Sequence, residues 1–193
     1  MIHLSYGRCT ALLALPDESH PDSQGAMLPL PGRYLSGTMR GRFNPKDGHL
    51  YLTGLRGWQT AAVHDGCFQR LRYTRGGFHQ PIRYATHPGQ IKVTFGVDLD
   101  QELAEDKESY NLQQWNYRWT KNYGSKDWSI EDPDREGRNT IDIEKVRLDA
   151  DKRTVLLSIP GLQRAMQFEL KYDLDSAGGK VVRGILAGTI NKL

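Results

Sequence analysis

No stretch of about 18 apolar residues occurs in this 193-residue chain, so no membrane-spanning helix is expected. The longest apolar run, residues 11–15, has the length of a strand. It follows Arg8 but is too short for a secretory leader and has no small-x-small site behind it, so no signal peptide is read here. The strings that announce common chemistries are missing as well. There is no GxSxG, Walker A or GxGxxG sequence, and no pair among the six histidines has HxH or HExxH spacing. Cys9 and Cys67 belong to no CxxC or CxxCH motif. They make no structural zinc site unaided and attach no c-type haem. Burial as two small hydrophobes is the expected state of these thiols, with pairing in an oxidising compartment as the alternative. Lysine and arginine form no run. The net charge is only +3, with acidic residues interleaved, so no nucleic-acid partner is expected.

What the chain does have is punctuation. Twenty glycines and nine prolines separate short runs rich in Val, Ile, Leu, Tyr and Thr, the pattern of many short strands joined by turns. The fold class predicted is all-β. The clearest hairpin pairs residues 38–43 with 49–54 around Pro45 and Asp47-Gly48, which suit a tight turn. Residues 67–73 make another strand, with Cys67, Gln69, Leu71 and Tyr73 on one face and Phe68, Arg70 and Arg72 on the other. Shorter strands are predicted over 9–15 and 26–30. The Gly-rich stretch 75–81 reads as a boundary between a β-rich segment, 1–77, and a second region, 81–193.

In the second region Ile91, Val93 and Phe95 alternate inward, and residues 100–107 suit one or two helical turns capped by Asp98 or Asp100. A strand is predicted at 110–117, then a long polar loop at about 120–140. Hairpins follow at 141–159 and 166–190. Six or seven strands in about 110 residues match an immunoglobulin-like β-sandwich.

Several strings here are distinctive. They are Gly41-Arg42-Phe43-Asn44-Pro45-Lys46-Asp47-Gly48, Leu55-Arg56-Gly57-Trp58-Gln59-Thr60, and Asp65-Gly66-Cys67-Phe68-Gln69-Arg70-Leu71-Arg72-Tyr73-Thr74. Gln114-Trp115-Asn116-Tyr117-Arg118-Trp119-Thr120 and Asn122-Tyr123-Gly124-Ser125 join them. Together they resemble a segment of large secreted proteins of planctomycetes and verrucomicrobia. Those proteins join a propeller similar to quinoprotein (sorbosone/glucose) dehydrogenases to an Ig-like region, often with a cytochrome c domain. The resemblance covers almost the whole chain. It implies that residues 1 to about 75 are like the last propeller blades, that 81–193 are the Ig-like module, and that the protein works in the periplasm or outside the cell. A propeller closes with about four to eight blades of about 40–45 residues, and the first segment is too short for that. Neither haem c nor pyrroloquinoline quinone is therefore expected as a cofactor. Open strand edges in such a segment are expected to be covered, by the rest of the chain or by self-association.

The candidate site is aromatic. Trp115, Tyr117 and Trp119 fall on one strand face, with Tyr123 and Trp128 nearby. A row of exposed rings stacks on sugars; a buried Trp on a central strand instead fills a sandwich core. Trp115 and Tyr117 are assigned to the core. Trp119, Tyr123 and Trp128, with Arg118, form the candidate ligand face. The carboxylates at 127, 131, 132, 134 and 136 fit no EF-hand spacing and read as a solvated acidic loop, with Arg135 and Arg138 pairing locally. His64-Asp65 are adjacent and so face apart on a strand. Arg40 and Arg42 share a face that suits an anion or surface ion pairs. No catalytic residue and no metal ligand is assigned. The expected function is a non-catalytic β module for binding or domain-joining, with a glycan or a protein as partner. The alternative is a piece of a quinoprotein-like sugar dehydrogenase, active only with further blades or subunits.

Overall fold

Short runs of β-formers between Gly and Pro breaks fold as strands here, and the computed structural model, which describes residues 1–193, is all-β with antiparallel sheets. In chain order the first strands are β1 (Ile2–Ser5), β2 (Thr10–Pro16), β3 (Gly25–Pro29), β4 (Gly37–Phe43), β5 (Leu50–Leu55) and β6 (Gly66–Leu71). Then come β7 (Phe78–His87), β8 (Gln90–Gly96), the one short α-helix α1 (Gln101–Glu105), β9 (Tyr110–Trp115) and β10 (Asn139–Ile141). The chain ends with β11 (Lys145–Leu148), β12 (Thr154–Ser158), β13 (Ala165–Asp175) and β14 (Val181–Ile190). No helix is long and apolar enough to cross a membrane. Two units are present: Met1–Ala14 with Leu28–Gly77, and Leu15–Met27 with Phe78–Leu193.

In the first unit β1 pairs with β2, and β4, β5 and β6 form a three-stranded sheet. The turn between β4 and β5 closes where Asn44 N–H donates to the His49 carbonyl at 2.9 Å. Strand alternation sends Leu50 and Leu52 into a core with Cys9, Ala11, Tyr34 and Ala62, and Ile2 and Leu4 pack on it. Gly41 lies opposite Leu52; a Cβ there would come within 2.8 Å of Leu52 Cδ2, so a side chain at this position requires that methyl group to shift. Both thiols are free, Cys9 buried and Cys67 half-buried. The Ser36 hydroxyl donates to Cys67 Sγ at 2.7 Å.

The second unit holds two antiparallel sheets. One runs β14-β13-β9-β10, with Ala26 and Met27 pairing on the outer side of β14. The other runs β11-β12-β8-β7. Ile91, Val93 and Phe95 are buried, as their alternation predicted, and so are Val155, Leu157, Phe168, Leu170, Tyr172 and Leu186. Phe95 meets Tyr172 edge to face at 5.3 Å, and Tyr84 lies 6.3 Å from Phe168, so rings of the two sheets touch in a sandwich-like core. Asp100 caps α1, its carboxylate accepting from Leu103 N–H at 3.0 Å.

Leu15–Met27 is fastened to this unit by one buried carboxylate. Asp17 accepts from the Thr86 hydroxyl, from Gln24 Nε2 at 2.7 Å and from Ser19 N–H at 2.8 Å. Gln24 Oε1 in turn accepts from the Asn191 and Lys192 N–H groups, each at 2.8 Å. The first strand of this region, β7, contains Pro81. Its pairing with β8 shifts register on both sides of that residue, because proline offers no N–H to the ladder.

Candidate ligand-binding face

Strand β9 ends at Trp115, but its neighbour Asn116 continues to pair. Asn116 N–H donates to the Trp128 carbonyl at 2.7 Å, and Trp128 N–H returns the bond at 2.8 Å. Trp128 pairs on its other side with Glu136. The polar stretch predicted as a long loop is therefore partly a small three-ply ladder, and residues 117–127 bulge from it. Tyr117 and Trp119 lie beyond β9, not on it.

Trp115 is buried, as assigned. The Arg138 guanidinium sits 3.7 Å over its ring and pairs with Asp127 at 2.7 Å, tying β9 to the bulge. Tyr117 differs from its core assignment: it is 46% exposed, because the chain leaves the sheet after Asn116. Its N–H faces Met166 Sδ at 3.5 Å, and Asn116 Oδ1 accepts from Met166 N–H at 2.9 Å, which holds the start of the bulge to β13.

The four candidate ligand residues fall into two pairs. Trp119 and Tyr123 stand free in solvent, 97% and 98% exposed. Trp128 and Arg118 are engaged with each other: the Arg118 guanidinium lies 3.7 Å over the Trp128 ring. Arg118 also donates to Asp134 at 2.6 Å and to the Pro133 carbonyl. The turn that presents Trp119 and Tyr123 closes by the Arg118 N–H bond to Ser125 Oγ, 3.0 Å, and by Asn122 N–H to Thr120 Oγ1, 3.2 Å. Gly124 has φ 81° there, a conformation that other residues resist.

Between these groups lies an open groove of about 550 Å³. Tyr117, Trp119 and Tyr123 line it with Thr120, Asn122, Asp127 and Gln167. Rings beside hydroxyl and amide groups make a surface that accepts a ligand with apolar faces and polar edges. Of the other carboxylates of this stretch, Glu136 pairs with Lys126 at 2.6 Å and Glu131 with Arg135 at 3.6 Å, while Asp132 accepts from Asp134 N–H at 3.0 Å.

Proton affinities shift mainly in the core, away from the groove. Burial pushes the phenols of Tyr84, Tyr110 and Tyr172 well above their ordinary value. At Asp17, burial alone would raise the pKa, but the hydrogen bonds from Gln24, Thr86 and Ser19 outweigh it and hold the carboxyl below its ordinary range. The two Arg–Trp stacks were not foreseen in the sequence. Their only trace there is the recurrence of Arg and Trp between positions 115 and 138. No protein-family model, no curated protein and no solved structure matches the chain.

Proposed function

We propose that the chain is a non-catalytic binding module whose second unit takes a glycan on the Trp119–Tyr123 face. The observation that carries this reading is two almost fully exposed rings on a turn braced by the Arg118–Trp128 stack. Large apolar rings left in water at a braced site favour a ligand that brings its own apolar face. The C–H face of a pyranose does so, and its hydroxyls find Thr120, Asn122, Asp127 and Gln167 along the groove. Trp128 and Arg118 then act as the floor that holds the turn. The unit's Ig-like character and a periplasmic or extracellular setting are part of the same reading. They rest on the resemblance of residues 41–48, 55–60, 65–74, 114–120 and 122–125 to the secreted proteins described above.

The test is a panel of neutral oligosaccharides, such as cello-, xylo-, manno- and laminari-hexaose, titrated by calorimetry against three variants. Trp119→Ala and Tyr123→Ala should each weaken binding by about 1 kcal/mol or more while leaving the melting temperature unchanged. Trp115→Ala should cost about 3–5 kcal/mol of stability, since it empties a core site. Equal thermal losses in all three variants would show the rings to be structural and end the glycan reading.

A further inference from the structure

Charge is divided unevenly between the two units. The first carries eight arginines and one lysine against only Asp47 and Asp65, a net +7. The second carries 17 basic and 21 acidic residues, a net −4. The small whole-chain charge of +3 conceals this.

The cations of the first unit concentrate on one sheet face. Since Leu50, Leu52 and Gly41 face the core, alternation turns Arg40, Arg42, Tyr51, Phe68 and Arg70 outward. The register places Arg42, Tyr51 and Arg70 in one row across the three strands, and Arg40, Thr53 and Phe68 in the next. Arg40 and Arg42 are about 7 Å apart along β4, and β6 lies about 10 Å away across the sheet. Arg42 and Arg70 thus flank Tyr51, and Phe68, beside Arg70 on β6 and in the row of Arg40, stacks on Tyr51 with ring centroids 5.6 Å apart. Phe68 is 72% exposed. Yet no arginine of this unit pairs with a carboxylate; its one ion pair is His49 with Asp47. Unpaired forked guanidiniums beside an uncovered aromatic pair form a site for a chain bearing planar anions.

We propose that the outer face of the β4–β5–β6 sheet binds a carboxylated polysaccharide, a polyuronate, with its carboxylates on Arg40, Arg42 and Arg70 and a sugar face on Phe68. Two features favour this ligand over single-stranded DNA. Tyr51 and Phe68 spend one face on each other, so successive bases find no series of free rings to stack upon. Asp47 sits at the rim, accepting from the Tyr51 hydroxyl at 2.8 Å. An acceptor there suits a ligand that offers hydroxyl donors as well as anions, which a DNA phosphodiester strand does not. The arginine fork meets a planar carboxylate in two parallel N–H···O bonds. This site is independent of the Trp119 groove and stands or falls without it.

Affinity electrophoresis of the full chain through polygalacturonate, dextran sulfate and oligothymidine tests the proposal. Retardation by polygalacturonate is expected, weakening as salt is raised. Replacing Arg42→Gln and Arg70→Gln together should weaken it about tenfold or more, and Phe68→Ala should weaken it too, with melting temperatures preserved. Arg147→Gln, an exposed cation of the second unit, should change nothing. The proposal is overturned by no retardation in polygalacturonate, or by equal or stronger binding to dextran sulfate, which has no carboxylate, or to oligothymidine. It is overturned also if Arg147→Gln has the same effect as the paired substitution, which would mean that net charge alone acts.

Discussion

Asp17 is a charged side chain with no exposure to solvent, and its neighbours are chosen accordingly. Every bond to it comes from a donor: the Thr86 hydroxyl and N–H, the Gln24 amide and the Ser19 N–H. Such a ring of donors favours the ionised form. Asp17→Asn keeps the shape but turns an amide N–H₂ toward groups that also donate. A loss of about 2–3 kcal/mol in stability is expected from denaturant titration at pH 7. The pH dependence follows from the lowered pKa. The stabilisation is full above the ordinary value of 3.8 and is lost as pH falls below it, through the folded-state value. The wild type should therefore lose its advantage over Asp17→Asn in acid; an unchanged gap at pH 2 would contradict this assignment. The sequence gives no hint of this role, because Asp17 and Thr86 are 69 residues apart and each is ordinary in its own neighbourhood.

At the scale of elements, local pattern carried far. The β4–β5 hairpin, the inward set on β8, the Asp100 cap and the hairpins around 149–153 and 175–179 are all written in alternation and turn chemistry. Strand β7 was obscured, since Pro81 and two register shifts interrupt its alternation. The polar stretch before β10 was legible only as a loop, because its ladder is built from main-chain bonds and Arg–Trp stacks and needs no apolar period. Of the four candidate ligand residues, their proximity was readable from spacing. Which rings stay free was not, since that depends on Arg118 covering Trp128. The turn itself is testable at Gly124. A Cβ there meets no atom within 4 Å, so the cost of a substitution is mainly conformational. Gly124→Val at φ 81° should strain the turn by about 1–2 kcal/mol. The expected result is weakened oligosaccharide binding through displacement of Tyr123, with the melting temperature lowered by only a few degrees. Unaltered affinity would show that the turn does not position the ligand.

For the whole molecule, two units of opposite charge carry two different surfaces. The acidic second unit offers exposed rings over a polar groove, which suits neutral sugars. The basic first unit offers Arg40, Arg42 and Arg70 on one sheet face, which suit anionic ones. Ionic strength separates these surfaces, because screening acts on exposed charge and leaves ring stacking almost untouched. The central claim, that Trp119 is a ligand platform, is read most directly by fluorescence. Among the four tryptophans Trp119 is the most exposed, and Trp58, 78% exposed, is the other strong solvent reporter. In a Trp58→Phe background, titration with the neutral hexaoses at high salt should shift the emission to the blue as a sugar ring covers Trp119. The shift should vanish in Trp58→Phe/Trp119→Phe. An emission spectrum that none of the sugars moves, or a shift that survives without Trp119, would contradict the account.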